Sequence, residues 1–400
     1  MKFAGIIAEY DPFHNGHAWQ LAQAKALGAE RVAVAMSCSL VQRGALPLLP
    51  EAVRTRSALT CGADLVFALP APCACAGAEA FARAGVALLA AAGCDGLVFG
   101  AETPDAALLM EAAELLDSGS YRAALKAQLA GGARSFAAAR QAAAAQLASD
   151  ERVAALLDKP NNNLAVEYCR AIRSLAPRME AYPLPRQGAD HGEALHSAHG
   201  QFASASALRK LWAEGGADAV APYVPEAVFP LYQEAYAAGQ YTDFSAAGRC
   251  ELALLRSACR DKAPFADIRG VSEGLEHRLE AAVRTSTTYD ELLDALTTVR
   301  YPRARMRRLA MDAALGFTAD SLPALPPYLH LLGAQKDALP LLKAAALPVS
   351  HSLARLAEQN TPCRAVVDAQ LRACDFGALC RKKPEPMGGA LRQKIIFLTK

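Results

Sequence analysis

The chain lacks any uninterrupted apolar stretch of bilayer-spanning length. Its Ala-rich stretches near residues 84–93 and 137–148 are amphipathic or too short, and residues 1–9 are too short for the apolar region of a signal peptide. No membrane partner is expected. The spacing that frames a zinc site is missing as well. Eleven cysteines lie in irregular positions, no pair of Cys-x-x-Cys units occurs, and Cys73 and Cys75 stand too close for an easy bridge. Reduced thiols in a cytoplasmic protein are the expectation. An excess of one charge is also absent: the formal net charge is +2, so attraction to nucleic acid must come from local patches rather than from the whole molecule. No internal repeat is visible.

What is present is a large apolar complement, 53% hydrophobic against 20% charged in 400 residues, the composition of a soluble globular protein of two or three domains. The first hundred residues alternate short apolar runs with helical patterns. Strands are expected at Phe3–Ala8, Arg31–Met36, Asp64–Ala68 and Gly96–Phe99, and helices at 17–27, 51–61, 77–92 and 105–116. Such alternation predicts a doubly wound α/β domain with a parallel sheet. Residues 119–157 read as an Ala-rich helical insertion. The segment Lys159-Pro-Asn-Asn-Asn163 ends it and caps the next helix. A strand near Met179–Pro183 and a helix from Ser206 to Ala213 would complete the domain at about residue 222. Beyond it the strand signals fade, and helical periodicity over 226–238, 244–260, 273–284, 288–298 and 303–315 predicts a second, mostly α-helical domain over 223–400. Pro-rich breaks interrupt it at 322–327, and its tail after 360 is loosely patterned.

The most informative segment is Gly5-Ile-Ile-Ala-Glu-Tyr-Asp-Pro-Phe-His-Asn-Gly-His17. It places His14 and His17 three residues apart, just past a strand and at the start of a helix. Free N–H groups and the positive helix end favour anionic oxygens there, at the carboxyl edge where open parallel sheets bind ligands. Imidazoles can donate to phosphoryl oxygens as charge moves onto a leaving pyrophosphate, and Gly16 leaves room for a phosphate to approach the backbone. Two metal ligands one helical turn apart would read alike, but no local cysteine or carboxylate cluster completes a metal site, and none is assigned. Other polar groups stand at expected strand or helix ends: Gln42-Arg43-Gly44, Arg54 and Arg56, Phe99-Gly100-Ala101-Glu102, Asn161 and Arg186. Ser204 and Ser206 at a helix start, with Arg209 and Lys210 one turn later, suit a second phosphate clamp. Five arginines, Arg300, Arg303, Arg305, Arg307 and Arg308, crowd a nine-residue segment with no acid. They suit either a solvated helix face or a phosphate backbone.

The opening segment resembles that of the bacterial tRNA(Met) cytidine acetate ligases, within the wider HxGH nucleotidyltransferase superfamily. The likeness continues through Gln42-Arg43-Gly44, Arg54-Thr55, Phe99-Gly100, Lys159-Pro-Asn-Asn162, Ser204-Ala-Ser206 to Arg209, Glu273-Gly-Leu-Glu-His-Arg278 and Arg300-Tyr301. The resemblance implies that acetate attacks the α-phosphate of ATP to give acetyl-adenylate, from which the wobble cytidine of elongator tRNA(Met) takes the acetyl group. It implies an ATP site at Ile7, Ala8, Glu9, Tyr10, Asp11, Pro12, Phe13, His14, Asn15, Gly16, His17, Ala18, Trp19 and Gln20, with Gly100, Asn161 and Arg186, and magnesium accompanying the triphosphate. The arginine cluster would then hold tRNA. Asp11 stands where the family commonly has Asn, and Ala101 where Ser is common. A small-molecule adenylyltransferase that makes a nucleotide cofactor, and a non-catalytic nucleotide- or RNA-binding protein, are the competing readings. The long helical region favours a macromolecular substrate over the first, and retention of both histidines speaks against the second.

Overall fold

The computed structural model describes residues 1–132, 135–186, 196–197 and 200–398. Its first half follows the alternation in the sequence. β1 (Phe3–Ala8), α1 (Asn15–Ala26), β2 (Arg31–Ser37), α2 (Glu51–Thr60), β3 (Leu65–Leu69), the single turn α3 (Ala71–Ala74), α4 (Ala78–Ala91) and β4 (Gly96–Ala101) succeed one another. The Ala-rich stretch forms α5 (Ala106–Asp117), α6 (Gly119–Ala130), α7 (Phe136–Leu147) and α8 (Glu151–Leu156). It is divided where Ser118, Ser135 and Asp150 cap new helices with their side chains. α9 (Pro160–Leu175) then leads to β5 (Glu180–Pro185).

β1 lies mid-sheet, parallel to β2 on one side and β4 on the other, with β3 beyond β2 and β5 beyond β4. Both sheet faces are covered, which is why these strands read as nearly continuous apolar runs. Phe3, Phe67 and Leu97 look into a core closed by α4, α5 and α9. Ile6, Val34 and Val66 look into the opposite core with α1, Trp212 and Tyr232.

After the two-residue strands β6 (His196–Ser197) and β7 (Gly200–Gln201) come α10 (Ala205–Gly215), α11 (Phe229–Ala237), α12 (Phe244–Ala258), α13 (Leu275–Thr285), α14 (Tyr289–Leu296) and α15 (Arg303–Leu315). The last four enclose their own core around Leu255, Leu279, Leu292 and Met306. In the mostly α-helical region after 223, where strand signals fade in the sequence, three further strands form. β8 (Leu329–Gln335) returns to the main sheet antiparallel to β3, with the short β9 (Val349–Ser350) and β10 (Ile396–Leu398) parallel to it. Between them run α16 (Leu353–Ala357), α17 (Thr361–Leu379) and α18 (Gly389–Arg392). Seven buried residues, Leu-His-Leu-Leu-Gly-Ala-Gln, have no period that separates a buried strand from a buried helix. Only the open edge of β3, some 260 positions earlier, makes them a strand. The tail after 360 is likewise ordered, with Val366, Val367 and Phe376 of α17 in cores.

A candidate nucleotide site at the sheet's carboxyl edge

α1 is capped by histidines. His14 is its N-cap, and its Nδ1 accepts from Gly16 N–H at 3.1 Å, while His17 Nδ1 accepts from His14 N–H at 3.2 Å. This is a capping box with imidazoles in both positions. The rings stack with centroids 3.7 Å apart and planes 22° from parallel, and Tyr10 meets His17 edge-on at 4.8 Å. Because each Nδ1 is an acceptor, the neutral ring carries its proton on Nε2. Burial, with the Arg186 guanidinium adding to it, lowers the His14 pKa to about 3. Burial, His14 and Arg186 lower that of His17 well below its ordinary value. Both rings are therefore neutral at pH 7, each with one N–H left for a ligand. Gly16 has a further reason to be glycine: a Cβ there would lie 2.9 Å from His14 Cε1, inside the capping ring.

The other face is built by β4, α9 and β5. Glu102, just beyond β4, accepts from Asn161 N–H at 3.1 Å, Asn161 Nδ2 at 2.6 Å and Asn162 N–H at 2.6 Å, so a carboxylate closes the positive end of α9. Burial raises the Glu102 pKa, but these donors outweigh it and hold the carboxyl below its ordinary value. The Asn161 side chain is thereby turned so that its Oδ1 accepts from Arg186 Nη1. Arg186 is exposed, its backbone N–H bonds Ala101 O at 3.3 Å, and its Cγ lies 3.5 Å from where a Cβ on Gly100 would be. Gly100, Asn161 and Arg186, read separately from the sequence, come together here, and Arg186 acts electrostatically on both histidines. Buried Ala101 fills a core position.

Most of residues 7–20 build the loop rather than face a ligand. Ile7, Ala8, Tyr10 and Phe13 join the two sheet cores, and Ala18 and Trp19 pack against the second. Pro12 is buried. Asn15 donates to Gln201 O at 3.0 Å, and Gln20 to Val98 O at 3.1 Å. Asp11 is 1% exposed and fully engaged, with Leu48 N–H at 2.5 Å, Arg43 at 2.6 Å and Arg209 at 3.3 Å. Two arginines thus offset the carboxylate that would otherwise repel a triphosphate. Glu9 accepts Gln42 N–H at 2.6 Å; burial and the nearby Asp11 raise its pKa.

Arg209 is accordingly directed at Asp11, including its carbonyl at 2.7 Å, while Ser204 caps α10 and bonds Ser206 at 3.0 Å. Arg54 is not at the surface of the site. Fully buried, it donates to the carbonyls of Glu9 at 2.8 Å, Ser37 at 2.6 Å and Leu49 at 3.0 Å, and to that of Cys38, tying the carboxyl ends of β1 and β2 together. Sequence reasoning passed over Glu102 as an organiser and Arg43 as the partner of Asp11. A carboxylate two residues past a glycine-ended strand, before a Pro-Asn-Asn helix start, was the available signal for the first; the second had none.

The five arginines do not share one surface. Arg300 pairs with Glu273 at 2.6 Å, Arg303 with Asp290 at 2.8 Å and with Asp294, and Arg305 stacks 5.0 Å from the Tyr301 ring. Arg308 turns inward to Gln42 O at 3.2 Å, and Arg307 lines a cleft between the helical region and the sheet domain. Gly44, at φ +76°, fits against them: a Cβ would lie 2.6 Å from Arg308 N. Among the described residues no three His, Cys, Asp or Glu side chains converge as a metal cage, and no helix is long and apolar enough to cross a membrane.

The family model described as HIGH Nucleotidyl Transferase matches residues 1–389. The tRNA(Met) cytidine acetate ligase of Acetivibrio thermocellus is 31% identical over 421 residues, covering 100% of both chains. That of Syntrophotalea carbinolica is 35% identical over 370 residues, covering 90% of this chain and 87% of its own. The chain belongs to the tRNA(Met) cytidine acetate ligase family. The fold agrees over its full length. The crystal structure of Thermotoga maritima TmcAL bound with alpha-thio ATP superposes with a TM-score of 0.89 at 26% identity, covering 100% of each chain. The expected doubly wound nucleotidyltransferase fold stands.

Proposed function

We propose that the chain is an ATP-dependent acetate–tRNA ligase of the cytoplasm, acting on the wobble cytidine of elongator tRNA(Met). The observation that carries this reading is the pair of neutral, Nδ1-capped histidines facing Arg186 and Asn161 across the carboxyl ends of β1, β4 and β5. An acetate oxygen attacks the α-phosphorus of ATP, the bond to the β-phosphate oxygen breaks, and pyrophosphate leaves. The cytidine N4 then attacks the acetyl carbonyl, the mixed anhydride opens, AMP leaves and N4 loses a proton. No enzyme nucleophile is required. The two Nε2–H groups and the Arg186 guanidinium stabilise charge on the phosphates as it develops, and placement supplies the rest. His14 and His17 are the catalytic pair, while Gly100 and Asn161 bound the nucleotide. Magnesium, where it takes part, accompanies the triphosphate. Among the described residues no cage for it forms: Asp11 is held by two arginines and a backbone N–H, and Glu9 by Gln42.

Incubation of the purified protein with ATP, acetate and total tRNA, followed by nucleoside mass spectrometry, tests the reading. N4-acetylcytidine that depends on both ATP and acetate is the expected product. Formation of a dinucleotide cofactor from ATP and a phosphorylated small molecule, with tRNA unchanged, would replace it by the small-molecule adenylyltransferase reading.

A further inference from the structure

Between the sheet domain and the helical region lies a cleft of about 760 Å³, within the range of small-ligand sites. Arg43 and Arg209, the partners of Asp11 in the nucleotide loop, form part of its wall, so it adjoins the nucleotide motif. Lys210 and Arg249 are exposed in its lining. The acid Asp290 in that lining is taken up by Arg303. Deep in it sit two neighbouring buried polar groups whose hydrogen-bonding capacity the fold leaves unfilled. Glu251 of α12 is 3% exposed and its Oε1 has no hydrogen-bond partner among the described residues; the hydroxyl of Tyr289, on α14, has none either. Burying polar atoms with unfilled hydrogen-bonding capacity is unfavourable, so two side by side in a cleft point to a ligand that completes them.

We propose that this cleft takes a nucleobase of the RNA substrate, with Glu251 and Tyr289 bonding its polar edge and the surrounding cations taking the flanking phosphates. The inference rests on the acetate–tRNA ligase reading. The chemistry fits a base edge, which presents donors and acceptors together, better than an all-acceptor phosphate, because a carboxyl beside a hydroxyl offers both as well. Burial pushes the Glu251 carboxyl up to about 8, with Tyr289 and Arg307 pulling the other way. A protonated carboxyl offers one donor and one acceptor side by side, the pattern that pairs with the N3 and N4 edge of cytosine. Single-stranded RNA bases are read in this way, unstacked and bonded along their Watson–Crick edges.

The test uses a stem-loop RNA that the wild-type protein acetylates, and copies of it with one loop base at a time removed to leave an abasic site. In the wild type, removal of one base weakens binding by roughly 10-fold or more, the scale of one well-made polar contact. In Glu251→Leu that penalty disappears, because the partner is gone. In Glu251→Gln, whose amide keeps a donor beside an acceptor, it returns. Tyr289→Phe, which removes only the hydroxyl beside Glu251, reduces it. ATP binding by calorimetry confirms that each variant is folded. A penalty that persists undiminished in both Glu251→Leu and Tyr289→Phe overturns the proposal. Absence of any acetylated RNA with the wild type overturns instead the reading on which it rests.

Discussion

His14 and His17 each use one ring nitrogen to build α1 and leave the other uncommitted to it, so their structural role and the proposed catalytic one can be separated by substitution. Asn is a good N-cap residue, so His14→Asn should retain stability to within about 1 kcal/mol. It should still lower acetate-dependent ATP–pyrophosphate exchange by roughly 100-fold, the scale of losing one transition-state donor. Gly16→Ala makes the complementary test. Alanine is intrinsically the better helix residue by about 0.5–1 kcal/mol, yet its Cβ would displace the His14 ring. Exchange should therefore fall while the melting temperature barely moves. The depressed histidine pKa values also set a pH dependence. Between the folded values and 6.5 the unfolded chain binds protons that the folded chain does not. The pair thus contributes stability that is present above pH 6.5 and lost as pH falls through the lowered folded values. Denaturant unfolding of His14→Asn/His17→Asn should show a shallower loss on acidification than the wild type. Exchange by the wild type should show no inflection near 6.5; one that vanished with either substitution would contradict the neutral assignment.

The helix α9 does its work through its first turn. Its Asn161 and Asn162 N–H groups hold Glu102, and the same contact orients the Asn161 amide toward Arg186. Glu102→Ala should cost about 1–2 kcal/mol, as loss of a helix cap does. It should also weaken ATP binding, because Asn161 and Arg186 lose their common brace. Calorimetry on Glu102→Ala and Asn161→Ala would separate brace from contact: equal losses of ATP affinity, not additive in the double variant, are expected of a coupled pair.

For the whole molecule, the sheet is completed by residues from the far end of the chain. Ending the chain after residue 325 would remove β8 and β10 and uncover the edge of β3, whose five residues are all buried. Such a truncation should yield aggregated protein with no cooperative melt, since an exposed apolar edge strand seeks another chain. The arginine segment makes a different prediction at this scale. Arg300, Arg303 and Arg305 lie outward, whereas Arg307 and Arg308 face the domain junction. If the outer three hold RNA backbone, changing them together to Ala should lower the slope of log affinity against log salt by up to roughly 0.9 per lost contact, the duplex figure. Arg308→Ala should instead destabilise the protein by freeing the Gln42 carbonyl. A triple variant with unchanged salt dependence would assign the outer arginines to their acidic neighbours alone.

Alternating strands and helices, the histidine turn and its place at a strand's carboxyl end were legible in the sequence because each is local. Period-2 and period-3.6 patterns, caps and glycine turns act over a few residues, and a parallel sheet fixes where its carboxyl edge faces. Gly100, Asn161 and Arg186 could be picked out one by one for the same reason, since each ends or begins an element. The tertiary structure decided what depends on distant partners. Asp11 looked like a charge in the wrong place until Arg43 and Arg209 closed on it from 32 and 198 positions away. Arg54 looked like a ligand contact and is a buried tie between strand ends. Leu329–Gln335 becomes a strand only because β3 leaves an edge open, and the arginine run divides between surface and interior according to how α15 packs on Gly44. Short-range patterning determines elements; pairing between elements, the burial of charge and the direction of a long side chain are settled only when the whole chain has closed around them.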